Sequence, residues 1–385
     1  MVLVSASFLR SHWNMAVQDE KSDVPTYGDR FPGGHDDKFF ELYQKAVELG
    51  TWDVEKVIAK APVEKDREQW ENMNREQRLL WSRTVAGFLD GENNVAVDAT
   101  KLVQMVDSPY LDNTANKEAF YTTLQFEETK HTQFCAWYAE NVVPDEVFPR
   151  IGRGSRHGLS ALRGASGFGN LTEKEEDLLN TAVYTKKPHD IARAAANYGL
   201  HVEGLGARNG FNRMKTMAQE TPLPTWISTF ELISTDEGRH ITGQLELVKE
   251  LVDKEKEGKA DYQGVGRTVW TQLKDDIELL AEGSIRSVYQ LQAIRGEELS
   301  EEEIEQRIDQ QVEARMRYVN DMYRRTLDLP EYDEQELRDH MRKTIRQTQQ
   351  ELEDEGGYLE EIERSQNQAQ ELIDHEDGLG FAGDD

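Results

Sequence analysis

The chain has 385 residues, with 45 Lys and Arg against 74 Asp and Glu, and a formal net charge of −29. That length can bury one large core or two, and so negative a field disfavours nucleic acid and other polyphosphate partners. A single cysteine, Cys135, excludes an internal disulfide framework and suits a reducing cytoplasm, the expected location. No run of 18 apolar residues occurs, so no membrane span is expected, and Met1 to Asn14 lacks the basic opening and continuous apolar core of a secretory signal. The acids are spread along the chain as well as enriched at its end, which favours a halophilic surface over a purely local acidic tail.

Residues 1–36 read as irregular, with Pro25, Pro32 and Gly33-Gly34 as breakers. Lys38 to Leu49 reads as a short helix stopped by Gly50. Residues 64–107 carry an apolar stripe through Leu80, Val85, Leu89 and Val95 and read as one long helix ended by Ser108-Pro109. Thr114 to Asn141 is the next helix, closed by Pro144 and Pro149. A Gly- and Arg-rich connection over 150–170 follows. Thr172 and Glu175 suggest a capping box opening a helix at 172–185. Further helices are expected at 188–219, 225–254 and 264–294, with Pro222 and Pro224 as the break. Ser300 with Glu303 marks another start, and Ile304, Ile308, Val312, Met316 and Val319 make one narrow stripe. Past Pro330 the chain is very polar, with two amphipathic or fraying helices expected before a Gly/Asp-rich end. There is no strand-like alternation of useful length, so the expected fold is all-α.

Two Glu-x-x-His pairs stand out, Glu128 with His131 and Glu237 with His240, each preceded by a lone acid, Glu92 and Glu203. Residues three apart share a helix face, so each pair can reach one metal. The lone acids precede their pairs by 36 and 34 residues. A helix of about 30 residues is ~45 Å long, so this spacing is one helix, a turn and a return to the same depth. Four carboxylates and two imidazoles on four helices form the ligand set of a dinuclear carboxylate site inside a bundle, and suit a redox-active first-row pair better than Mg or Ca. The short motif alone is weak. With 74 acids in 385 residues and nine His, about two such pairs arise by chance, and the alternative is solvated faces in an acidic protein. The order and spacing carry the argument. Asp236, next to Glu237, is a candidate acceptor for a ligand imidazole, against a solvent-facing acid. Trp52 is either an aromatic packing anchor or part of an electron route to the metals.

Gly50-Thr51-Trp52, Glu92, Glu128-Thr129-Lys130-His131, Glu203 and Asp236-Glu237-Gly238-Arg239-His240 together resemble the ribonucleotide reductase small-subunit superfamily, over roughly residues 38–290. In its radical-generating branch a Tyr usually sits four residues after the first ligand His, where this chain has Cys135, and the first ligand is commonly Asp, where this chain has Glu92. A redox Tyr is also expected in the tail there, and the context of Tyr358 does not identify it as one. The ligand-binding oxidase branch carries Glu first, a Val three residues later and a Tyr five residues before the third Glu. Val95 and Tyr198 match.

That resemblance implies a ferritin-like four-helix bundle with additional helices. It implies manganese held by Glu92, Glu128 and His131 and iron by Glu203, Glu237 and His240, one of each per chain, with di-iron as the alternative. It also implies O2 as a co-substrate, a bound long-chain fatty acid or similar hydrophobic ligand, and an ether crosslink between Tyr198 and Val95. A homodimer is expected. The rival readings are a radical-generating small subunit that docks on a large catalytic subunit, and a ferritin-like iron-binding protein. Residues 1–330 are expected to form the dinuclear metal oxidase domain and residues 331–385 an acidic C-terminal extension.

Overall fold

The computed structural model describes residues 37–144, 169–295, 299–330 and 332–354. The expected irregular opening, most of the Gly/Arg-rich connection and the second tail helix lie outside the described residues. Helix α1 is Lys38–Leu49. It is capped by Asp37, whose carboxylate accepts from the amides of Phe39 and Phe40 and so satisfies two of the orphan donors at a helix start. The expected long helix at 64–107 is instead divided. After α2 (Val54–Ile58) come α3 (Val63–Asn72) and α4 (Arg75–Val106). The break is made by a capping box in which Asn74 and Gln77 bond each other's backbone amides.

Next come α5 (Thr114–Asn141), α6 (Gly169–Thr185), α7 (Pro188–Ala195), a π-helical segment (Ala196–Ala207), α8 (Arg208–Glu220) and α9 (Pro224–Lys256). Helix α6 starts at Gly169, before Thr172. The Glu175 carboxyl is buried with neither oxygen bonded, so the expected capping box at Thr172 does not open this helix. Then follow α10 (Val265–Arg295), α11 (Glu301–Val319), a second π-segment (Asn320–Thr326) and α12 (Glu334–Asp354). The Ser300/Glu303 capping box forms as expected.

Helices α4, α5, α9 and the α7–α8 run are the four that meet around the candidate site. Along α4 the residues Leu80, Trp81, Val85, Leu89, Val95, Ala99 and Leu102 are buried at helical spacing. Each fully buried aliphatic side chain contributes roughly 1.5–3 kcal/mol. The start of α9 has no cap of its own. Asp66 of α3 supplies one, accepting from the amides of Thr225 (2.9 Å) and Trp226 (3.2 Å) and from Tyr138 Oη of α5 (2.7 Å). A negative group at a helix N-terminus also opposes the helix dipole, so one buried carboxylate ties three helices together below the site.

Beyond Pro330, α12 buries Leu337, Met341, Ile345 and Leu352 from one face and packs on α10 and α11. Arg342 and Arg346 reach Asp309 (2.9 Å) and Glu305 (3.7 Å), and Arg338 pairs with Glu313. Those partners descend as the arginines ascend, so α11 and α12 run antiparallel. No helix among the described residues is long and apolar enough to cross a membrane.

Candidate metal centre

The six acids and histidines singled out by spacing converge. Glu92 comes from α4, Glu128 and His131 from α5, Glu203 from the π-segment, and Glu237 and His240 from α9. None is more than 7% exposed. Glu92, Glu128, His131 and Glu237 offer ligand atoms that all lie within 4.8 Å of one another, and so do Glu128, Glu203, Glu237 and His240. Glu128 and Glu237 belong to both sets, the placement a bridging carboxylate needs.

Each imidazole turns Nδ1 toward the acids and Nε2 away from them. His131 Nδ1 is 3.3 Å from Glu92, 3.2 Å from Glu128 and 3.4 Å from Glu237. His240 Nδ1 is 2.8 Å from Glu128, 3.5 Å from Glu237 and 3.8 Å from Glu203. The outward nitrogens are held by a second pair of acids. His131 Nε2 lies 3.2 Å from Asp236, and His240 Nε2 lies 2.8 Å from Glu127. An acceptor on the far nitrogen fixes the tautomer and ring orientation of an imidazole and raises its basicity.

Asp236 is therefore an imidazole acceptor rather than a solvent-facing acid, and it serves the histidine of the other motif. Its equivalent, Glu127, was not singled out from the sequence. The signal was present: both motifs read acid-Glu-x-base-His, as Glu127-Glu128-Thr129-Lys130-His131 and Asp236-Glu237-Gly238-Arg239-His240. The bases cross over too. Lys130 lies 3.3 Å from Asp236, and Arg239 bridges Asp236 and Glu127, the latter at 2.6 Å.

Two neighbours complete this layer. Trp52 donates its indole N–H to Asp236 (2.8 Å) and lies nearly parallel to His131, with centroids 6.2 Å apart. Gly50 gives its carbonyl to Lys130, and a Cβ there would stand 1.7 Å from Glu127 Oε1. Only a residue without a side chain lets α1 end this close to that carboxylate.

Burial disfavours the charged form of a carboxyl. It raises Glu92 to about 8 and Glu203 well above the usual carboxylate range, in both cases reinforced by neighbouring acids. Glu128 goes the other way. Burial opposes its ionisation, but the two histidines outweigh it and hold the carboxyl down to about 2. The same pairing raises both histidines against the effect of burial. Without cations the cage must therefore share protons and imidazolium charge. It also keeps both Glu203 oxygens and Glu237 Oε2 buried without a hydrogen bond. Buried orphans of this kind are costly. Two divalent cations would give every one of them a partner and offset the four carboxylates, so the donor set fits a dinuclear metal group.

Cys135 is fully buried, with Glu92 and His131 close enough to act on its thiol. Burial chiefly keeps that thiol protonated, so it behaves as a small hydrophobe bordering the cage. Cys135→Ala should keep full metal stoichiometry by elemental analysis; loss of metal in a folded variant would show that the sulfur has a chemical role. Glu127→Ala should lower metal affinity by about 10–100-fold, the usual effect of removing the partner of a ligand imidazole. Unchanged affinity in a metal titration would remove Glu127 from the site.

No protein-family model matches the sequence. Among solved structures, the chain is similar to R2-like ligand-binding oxidases. One variant with an aerobically reconstituted Mn/Fe cofactor aligns at 20% identity over 73% of this chain and 94% of its own, with a TM-score of 0.54. An anaerobically reconstituted Mn/Fe variant aligns at 20% identity over 71% and 93%, with a TM-score of 0.52. Another aerobically reconstituted variant aligns at 19% identity over 83% and 94%, with a TM-score of 0.51. The chain thus has the all-α, ferritin-like fold of the R2-like ligand-binding oxidases.

Proposed function

We propose that this chain is an O2-activating oxidoreductase that holds one manganese and one iron between Glu92, Glu128, His131, Glu203, Glu237 and His240. The observation that carries this reading is the pair of overlapping four-residue clusters sharing Glu128 and Glu237, buried at the centre of the bundle. When bound, such a metal pair supplies the electrons that reduce O2 and the oxidising power for a two-electron oxidation. The chain's own residues set the conditions. Asp236 and Glu127 hold the imidazoles in one tautomer with Nδ1 facing inward. Lys130 and Arg239 balance those outer acids. The burial of the cage excludes bulk water.

Trp52 is only half-buried and is joined to His131 through Asp236, which supports it as the entry for electrons. The finer assignments rest on the likeness around Val95 and Tyr198 and on the likeness of the fold to ligand-binding oxidases. These are manganese with Glu92, Glu128 and His131; iron with Glu203, Glu237 and His240; a long-chain fatty acid or similar hydrophobic ligand; and an ether link between Tyr198 and Val95. A homodimer, a cytoplasmic location and a halophilic source complete the reading.

Anaerobic loading with Mn(II) and Fe(II), followed by elemental analysis, should give about two metals per chain, the content of a dinuclear carboxylate site. Uptake of many irons per chain would favour an iron store instead. Tight association with a large catalytic subunit and radical transfer to it would favour a reductase subunit. Cys135 at the position of the usual radical Tyr weighs against the latter.

Residues 331–385 are proposed as an extension that the metal site does not need. Truncation after Leu329 should leave metal stoichiometry unchanged. It should lower the melting temperature, because it uncovers the faces of α10 and α11 on which Leu337, Met341, Ile345 and Leu352 are buried. Metal loss in a truncated chain that still melts cooperatively would move the boundary.

A further inference from the structure

We propose that His201, Asp276 and Tyr323 form a latch that holds the π-helical segment Ala196–Ala207 in register and so positions the carboxylate of Glu203 in the cage. These are positioning residues: none is among the six cage residues. The inference rests on the metal reading above only for its consequence at the cage.

A π-helix repeats one residue later than an α-helix and is rare outside single turns at functional sites. Here it runs for 12 residues, and Arg208 N still reaches back to Glu203 O across five residues. Something outside the segment must hold it. His201 lies between Tyr198 and Glu203 and is fully buried. Its Nδ1 is 2.5 Å from Asp276 Oδ2 of α10, and its Nε2 bonds Tyr323 Oη. The His201 and Tyr323 rings stack at 6.0 Å with 16° between their planes.

Asp276 is itself held from several sides. It accepts from Asn197 of the same π-segment (2.9 Å), Gln272 (2.8 Å) and Lys174 of α6 (2.8 Å). Burial opposes its charge, but His201 and Lys174 keep its carboxyl down to about 2. It is therefore a fixed anion gripping the π-segment at residues 197 and 201.

Tyr323 belongs to the second π-segment, and Tyr318, five residues before it, closes on the first from the same side. A Cβ at Gly204 would stand 1.8 Å from Tyr318 Oη. Residues 197, 201 and 204 thus face α10, α11 and the second π-segment, while Glu203 faces the cage. On an ideal α-helix residues five apart are about 140° out of line. Letting this segment relax to α-helical register would rotate Glu203 away from its present line with Tyr198.

Tyr323→Phe removes one hydroxyl and keeps the stacked ring. Asn197→Ala removes one bond to Asp276 and serves if the first variant folds poorly. In the metal-free protein, amide exchange at 196–207 should speed up by about tenfold or more in either variant, with the other helices unchanged. In Mn(II) titrations, one of two binding steps should weaken by about 10–100-fold and the other stay as in the wild type. Unchanged exchange at 196–207 in both variants overturns the latch while leaving the metal reading intact. A uniform rise in exchange along the whole chain also overturns it, because Tyr323 is then ordinary core packing. If the wild type binds no Mn(II), the metal reading falls, and the exchange measurement still decides the latch.

Discussion

Alanine at His131 or His240 should reduce metal content from about two per chain to below one and destabilise the metal-free protein. Each substitution removes the one nitrogen donor of its cluster and leaves all four carboxylates in place. In the metal-free chain the cost is electrostatic. Both histidines are raised toward the charged form by Glu128, against the effect of their burial. They are the cations that keep Glu128 ionised. Breaking a buried charge pair by removing one partner costs about 3–5 kcal/mol.

The two variants should not be equal. Without His131, Asp236 keeps Trp52, Lys130 and Arg239. Without His240, Glu127 keeps its ion pair with Arg239 and the more distant charge of Lys130. His240→Ala should therefore melt at the lower temperature when metal-free, and metal should restore less stability to either variant than to the wild type, since binding and folding are linked. Elemental analysis and melting curves with and without metal check this. Two metals retained in both variants would sink the ligand assignment.

The cage was legible because its code is periodic. Three-residue spacing within a motif and 34 to 36 residues between helices are readable without coordinates, and the four helices that answer them are present. What escaped the reading depends on pairing between distant elements. Glu127 looked like one more acid in an acidic chain until His240, 113 residues away, supplied its meaning. The break at Asn74 carried its own local signal in Gln77, but no proline or glycine marks it in a stretch that is proline-free after Pro62. Helix α12 is polar in composition, yet four apolar residues on one face are enough to seat it on helices already folded. The 12-residue π-segment meets Asp276, Tyr318 and Tyr323 through residues 197, 201 and 204, contacts between distant parts of the chain that sequence periodicity does not encode.

That segment bears directly on the prediction concerning Tyr198 and Val95. Val95 follows Glu92 by one turn of α4 and is buried. Tyr198 is fully buried, and its hydroxyl proton is held first by burial and then by the charge of Glu203. On an α-helix Tyr198 and Glu203 would point about 140° apart; the i→i+5 repeat of the π-helix brings residues five apart onto one face. A two-electron oxidation by O2 would take the phenolic hydrogen of Tyr198 and one carbon-bound hydrogen of Val95 and join oxygen to carbon. The expected result is a linked peptide pair lighter by two hydrogens than its separate parts, formed only in protein loaded with manganese and iron and then exposed to O2. Tyr198→Phe keeps the ring and the cage but has no phenolic oxygen, so it should bind about two metals, the content of a dinuclear site, and form no link. Peptide mass analysis after proteolysis reads both outcomes. If loaded, oxygen-exposed wild-type protein yields only the two separate peptides, the oxidase reading loses its most specific support and the reductase-like alternative gains, because a site that reduces O2 beside these two side chains without joining them would have to send its oxidising equivalents elsewhere.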